Sequence, residues 1–281
     1  MLTAHLQDNF STKFCFFFLL LAKLKISTNP SASELPSSLR ARYALLFNLD
    51  INRPLNFIGQ GSSPEEVILI IKSKSNIEFK ATDTAKVTFT NLTIKSSHKT
   101  YEGPFISVLN GDLILQNIDL LISNQESAIA LFNNSYLDAD SSFFSTSDRS
   151  TAIHLLNSSS TILSNCIFKN NKTAIYGNID NFSGNIHITQ SKILNSRAAG
   201  IALYGGKLKI EDSFIQNNIV GISLRNSSTG SIFNTHIKSN ELNGIDITNS
   251  SKIRIDKSNI SNNNNGIIVN NNSAIDQLTD S

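Results

Sequence analysis

At 281 residues with 40% hydrophobic content, the chain can bury a large core in one domain. Charged residues make up only 16% and the formal net charge is +2, so the concentrated basic surface that nucleic-acid binding requires is excluded. The two cysteines, Cys15 and Cys166, and the dispersed histidines show no metal-ligand spacing, and neither a disulfide framework nor a zinc site is expected.

In chain order, Lys13 precedes an apolar run from Phe14 to Ala22, which has signal-peptide length and is too short to span a bilayer. Lys23 and Lys25 follow at once, and the small-residue site Ser31-Ala32-Ser33 comes farther on than is usual for cleavage. Residues 1–33 therefore read as either a signal peptide or an N-terminal cap on the first turn. The first reading predicts a secreted or cell-surface protein, the second a cytoplasmic one. Residues 34–49, next to a stretch rich in Ser and Pro, read as a linker or cap.

Residues 50–275 return repeatedly to one pattern. Ile106, Ile129, Ile153, Ile175, Ile201, Ile222, Ile245 and Ile267 are separated by 23, 24, 22, 26, 21, 23 and 22 residues, the signature of a solenoid. Each isoleucine opens a short alternating run such as Gly244-Ile-Asp-Ile-Thr-Asn249, and a period of two means strands. The residue two past each is apolar as well, with Gly177 the exception. A second ladder runs in phase: Ile94, Leu120, Phe144, Phe168, Ile193, Ile215, Ile237 and Ile260. Five residues before each of these lies another small or apolar residue, from Phe89 to Ile255. One repeat therefore holds three short strands, with no segment of helical period between them. Asparagine marks the bends: Asn110, Asn133, Asn157, Asn226, Asn249 and Asn271 follow the first ladder, and Asn91, Asn117, Asn165 and Asn234 precede the second. Asparagine tolerates the left-handed backbone of a sharp bend, and stacked amides can bond to one another.

This combination resembles the right-handed parallel β-helix of the pectin-lyase-like superfamily, as in Leu208-Lys-Ile-Glu-Asp-Ser-Phe-Ile-Gln-Asn-Asn218 followed by Gly221-Ile-Ser-Leu224. The expected fold is all-β, a single-stranded right-handed parallel β-helix of about nine to ten rungs of roughly 23 residues, forming a rod about 45 Å long. Cys166 is expected on an apolar ladder position. The final residues, 276–281, read as a C-terminal tail. With no amphipathic helix to cover the last strands, end-to-end self-association or membership of a longer chain is expected.

Function is sought on the outer face of the isoleucine strands. The residues one and three past each ladder isoleucine should point to solvent, and His154, Tyr176, Asn178, Tyr204, Arg225 and Asp246 then form a contiguous ligand-binding strip. Tyrosine faces pack on sugar rings, while Arg, Asn and Asp bond hydroxyls or carboxylates. For catalysis, Arg225 and Asp246 on neighbouring rungs imitate a fragment of the lyase site that the resemblance implies, without the further carboxylates that hold calcium. Asp138 and Asp140 are the weak candidate metal ligands, for calcium, on another sheet. No other cofactor is expected, and no transmembrane span. The patterns of polygalacturonases and pectin methylesterases are absent. The expected function is a non-catalytic secreted or surface-exposed binding or structural module, carbohydrate-binding or adhesin-like, with a polysaccharide or glycan as partner. The alternative is a polysaccharide-degrading lyase or glycoside hydrolase. The long interval between Ile175 and Ile201 predicts a protruding loop around Ile179–Gly184 beside the strip.

Overall fold

The isoleucine ladder forms the spine of a ten-stranded parallel sheet in the computed structural model, which describes residues 24–27, 41–45, 49–51, 54–71, 77–80, 86–96, 103–123, 125–178 and 182–279. Ile106 pairs with Ile129, Ile129 with Ile153, and so on without a slip to Ile267. The second and third ladders share one 19-stranded sheet, to which each regular turn contributes a five-residue and a three-residue strand. There Phe144 lies between Leu120 and Phe168, and Ile210 between Ile188 and Ile232. The fold is a parallel β-helix. Its single antiparallel pairing among the described strands joins Leu24–Ser27 to Leu55–Gly59.

The helix makes about eight turns, fewer than the nine or ten expected. Strands Leu49–Ile51 and Ile77–Lys80 extend the isoleucine sheet before Ile106, but repeat spacing there is irregular and a count in steps of 23 overestimates the turns. The region read as a signal peptide or cap lies outside the described residues except for strand Leu24–Ser27. Strand Ala41–Leu45 pairs with Val67–Ile71, and the last strand, Ala274–Thr279, pairs with Lys252–Asp256. Among the described residues no helix is long and apolar enough to cross a membrane.

Backbone geometry at the bends explains the asparagines. All eight residues three before the second ladder, from Asn91 to Lys257, have φ between 46° and 55°. Gln190 and Lys257 adopt this left-handed conformation too, although it costs a side-chain-bearing residue about 1–2 kcal/mol. The position is therefore set by the turn and not by the residue. After the first ladder Asn133, Asn157, Asn226, Asn249 and Asn271 behave alike, whereas at Asn110 the positive φ falls on the following Gly111. A further column, Asn170, Asn195, Asn217, Ser239 and Asn262, is left-handed as well. Exposed amides bond from turn to turn, as in Asn117 Nδ2 to Asn91 Oδ1 at 2.8 Å and Asn249 Nδ2 to Asn226 Oδ1 at 3.1 Å.

Apolar columns fill the interior, including stacked pairs Phe57–Phe89 and Phe144–Phe168, each with centroids 4.5 Å apart. Buried polar columns run beside them. In one, the side-chain oxygen of each turn accepts the backbone N–H of the turn before: Ser191 Oγ from Cys166, Ser213 Oγ from Ser191, Ser258 Oγ from Thr235. Cys166 is the small buried side chain expected at this position, in a column that begins with Leu92 and Ile118 and continues with hydroxyl residues. Its Sγ approaches the carbonyls of Ala139 and Ser164 at 3.3 and 3.2 Å, and burial pushes the thiol pKa up to about 12. In a second column Asn218 Oδ1 accepts from Ser196 N at 2.8 Å and Asn218 Nδ2 donates to Asn240 Oδ1 at 3.1 Å, and in a third Ser251 Oγ accepts from Ser228 N at 3.1 Å.

Asn218→Ala removes both bonds and leaves a buried N–H without its acceptor, an expected loss of about 1–3 kcal/mol in urea unfolding. Replacing the half-buried Asn157 by Gly, which keeps the left-handed bend, is expected to cost only a few tenths of a kcal/mol.

Candidate functional site

Outward positions on the isoleucine sheet come from the alternation of its strands. The six strip residues project from the strands Thr151–Leu155, Thr173–Gly177, Ala199–Tyr204, Val220–Arg225 and Asn243–Ile247, with Asn178 directly after the second. His154 is paired in register with Tyr176, Tyr204 with Arg225, and Ser223 with Asp246. Not every outward position is open, since Ser107, Ala130 and Ser223 are buried. Neighbouring outward side chains cover these small residues, so periodicity gives the direction of a side chain but not its exposure.

The side chains touch in sequence along the rod. The His154 and Tyr176 rings lie 5.0 Å apart at 48°, and Tyr176 meets Tyr204 edge-on at 5.9 Å. Ala202 stands above Tyr176 in the same column, and its small side chain leaves room for that edge-on contact. The Arg225 guanidinium lies 5.6 Å from the centre of the Tyr204 ring, a cation–π arrangement. It also donates from Nε to Ser223 Oγ at 3.1 Å and from Nη2 to Asp246 Oδ2 at 3.3 Å. Ser223 is the contributor that strip selection by residue type passed over, because a serine carries no signal of its own in a chain so rich in serine.

The two ends of the strip differ electrostatically. At one end, Arg225 is 39% exposed over an Asp246 side chain only 17% exposed, so the cation faces solvent and the carboxylate sits behind it. At the other, burial holds the His154 imidazole below its ordinary pKa, with the Glu126 carboxylate pulling the opposite way, and its Nε2 is buried with no hydrogen-bond partner.

The insert after Tyr176 does not simply protrude. Residues 179–181 lie outside the described residues, but Phe182 is only 4% exposed and turns into the core. A Cβ placed on Gly177 or Gly206 would meet the Phe182 ring at 2.6 and 2.5 Å. Phe182 thus fills the space left where Gly177 interrupts the apolar column two past the isoleucines.

Asp138 and Asp140 share the outer face of strand Tyr136–Asp140, away from the strip. Asp140 accepts from Asn165 Nδ2 at 2.9 Å and Ser141 Oγ at 3.0 Å. Desolvation, then the Asp140 charge, raises the pKa of Asp138. Asp148 is ion-paired with Arg197 at 2.8 Å. Among the described residues no three His, Cys, Asp or Glu side chains converge as a metal site.

The sequence matches the model of the right handed beta helix region over residues 75–204 and 177–280, together more than half of the chain. The chain belongs to the right-handed β-helix family. Right-handed winding is the sense expected for parallel strands joined by crossovers. No curated protein shows significant similarity to this β-helix. Among solved structures it is similar to the catalytic domain of a GH87 α-1,3-glucanase variant in complex with tetrasaccharides, at TM-score 0.51 and 12% identity over 87% of this chain and 61% of that one. A second variant, in complex with nigerose, is 14% identical at TM-score 0.51, over 86% and 61%. The β-helix thus spans about three-fifths of the length of these neighbours. At such identities the likeness is one of fold.

Two measurements test this description. Phe182→Ala is expected to lower stability by about 3–5 kcal/mol in urea unfolding, because the glycines around it cannot close the cavity. For His154, an unfolded imidazole takes up a proton near pH 6.5 and the folded one only at lower pH. Stability is therefore full above about 6.5 and falls as pH drops through and below it, so His154→Phe should lose less stability than the wild type between about pH 7.5 and about pH 5.

Proposed function

We propose that the β-helix binds a glycan along the outer strip of the isoleucine sheet, as a non-catalytic binding module. The observation that carries this reading is the unbroken line of contacts His154–Tyr176–Tyr204–Arg225–Asp246. It offers two tyrosine rings as platforms for sugar faces, then a guanidinium oriented by Ser223 and Asp246 with donors remaining for ring hydroxyls. Four strand spacings make the line about 19 Å long, enough for a short oligosaccharide. Neutral α-glucans are the first class to try, since structural neighbours of the same fold are held in complex with nigerose and tetrasaccharides. A glycan ligand suits a secreted or cell-surface location.

Glycoside hydrolysis is the second reading, and the observation that favours it is that those neighbours are catalytic domains of an α-1,3-glucanase. The spacing of carboxyl groups along the strip supports the binding reading. A glycosidase places two carboxyl groups about 5–9.5 Å apart. Here Asp246 and Glu126 belong to turns five apart, about 24 Å along the rod. Lyase chemistry lacks support for a similar reason, because Arg225 and Asp246 pair with each other and, among the described residues, no cluster of carboxylates gathers to hold calcium.

Calorimetric titration with nigerose, longer α-1,3-gluco-oligosaccharides and acidic polysaccharides decides between the readings, with an assay for new reducing ends on every ligand bound. Binding without product, weakened about tenfold by Tyr176→Ala and by Tyr204→Ala, is the expected result, roughly 1.4 kcal/mol each. Product formation lost in Asp246→Asn would establish a hydrolase, and absence of binding to every glycan would overturn both readings.

A further inference from the structure

The long sheet carries a second organised surface, on the opposite part of the rod from the strip. Its outward residues change in charge along the rod about one uncharged strand, Ser160–Ser164. Ile162, at the centre of strand Ser160–Ser164, is 37% exposed. One strand before it in the same column stands Asp138, and one strand after it His187. Two strands before, in the neighbouring column, is Asp112, and two strands after is Lys207. Acidic groups thus lie on one side of Ile162, and on the other lie basic groups together with Glu211, which pairs with His187 and Lys209 of its own chain.

We propose that this face binds a second copy of the chain, as an isologous dimer whose two-fold axis runs parallel to the strands through Ile162. Such an axis keeps the columns and reverses the order of the strands. Ile162 then meets Ile162 of the second copy, Asp138 meets His187, and Asp112 meets Lys207, each charge pair occurring twice because residue i contacts j and j contacts i. Within one chain, Glu211 already accepts from His187 Nε2 at 2.8 Å and from Lys209 Nζ at 2.8 Å, so the Asp112–Lys207 pair is the more decisive. The three outward columns over five strands cover about 350 Å² a side, below the roughly 800 Å² of a stable complex. The dimer is accordingly weak, forms at high protein concentration, and dissociates as salt screens its charges.

Sedimentation velocity of the full chain at low and high salt, up to about 500 μM, tests this, with circular dichroism to establish that each variant is folded. A concentration-dependent dimer at low salt is expected, abolished by Ile162→Asp and weakened about tenfold or more by Asp112→Lys alone and by Lys207→Asp alone. Because the interface is isologous, the double variant Asp112→Lys/Lys207→Asp exchanges the partners of every pair and should restore the dimer. A chain that stays monomeric throughout, or a dimer that tolerates the single reversals, or a double variant that fails to recover it, would overturn the proposal. End-to-end stacking of rods would fall under the second of these outcomes, since it leaves the sheet face free.

Discussion

The buried polar columns of this β-helix depend on hydrogen bonds that a single turn cannot make. A sharp turn inside a close-packed core leaves a backbone N–H pointing inward, where water cannot reach it and an unmet donor costs about 1–3 kcal/mol. The next turn supplies the acceptor: Asn218 for Ser196, Asn240 for Asn218, Ser213 for Ser191. These bonds fix which turn lies above which and hold the isoleucine, phenylalanine and leucine columns in register. The same register sets the outward residues of successive turns one above another, which is what brings His154, Tyr176, Tyr204, Arg225 and Asp246 into a line. Surface chemistry in this protein is therefore inherited from its interior.

The fold was largely legible from the chain alone, for a physical reason. Parallel stacking brings equivalent positions of successive turns into contact, so the core writes itself into the sequence as repeated letters at a fixed interval. Ile106 through Ile267 and the ladder from Ile94 to Ile260 pair one to one as the spacing predicts. Buried polar columns were less legible. Ser191, Ser213 and Thr235 look like surface residues by type, and Cys166 among them looks like a hydrophobe. Their role depends on an inward-facing N–H that no local pattern announces. The column from Asn170 to Asn262 escaped notice because its left-handed backbone accompanies a bend already marked by other asparagines.

The six strip residues were found because the alternation of strands dictates which side chains share a face, and their order along the rod follows from pairing. What alternation could not give is contact geometry. That Arg225 reaches both Ser223 and Asp246, that Ala202 opens the space for an edge-on tyrosine pair, and that Ala130 is covered all depend on side-chain size on neighbouring turns. Gly177 is a clear instance. In sequence it breaks a column, and only the packing of Phe182 from the insert shows that the column is filled from elsewhere.

In the buried polar columns the hydrogen bonds from backbone to side chain run one way, from an N–H of one turn to a side chain of the turn that follows it. The rod therefore has a polarity that its strand stacking alone would not impose. Stripping a turn from its amino-terminal side leaves the inward N–H groups of these columns satisfied, whereas stripping one from its carboxy-terminal side orphans one in each column at once. The ladder bonds of the sheets reach both back and forward and are cut from either end alike, so the asymmetry between the two ends of the rod lies in its buried bends and not in its strands.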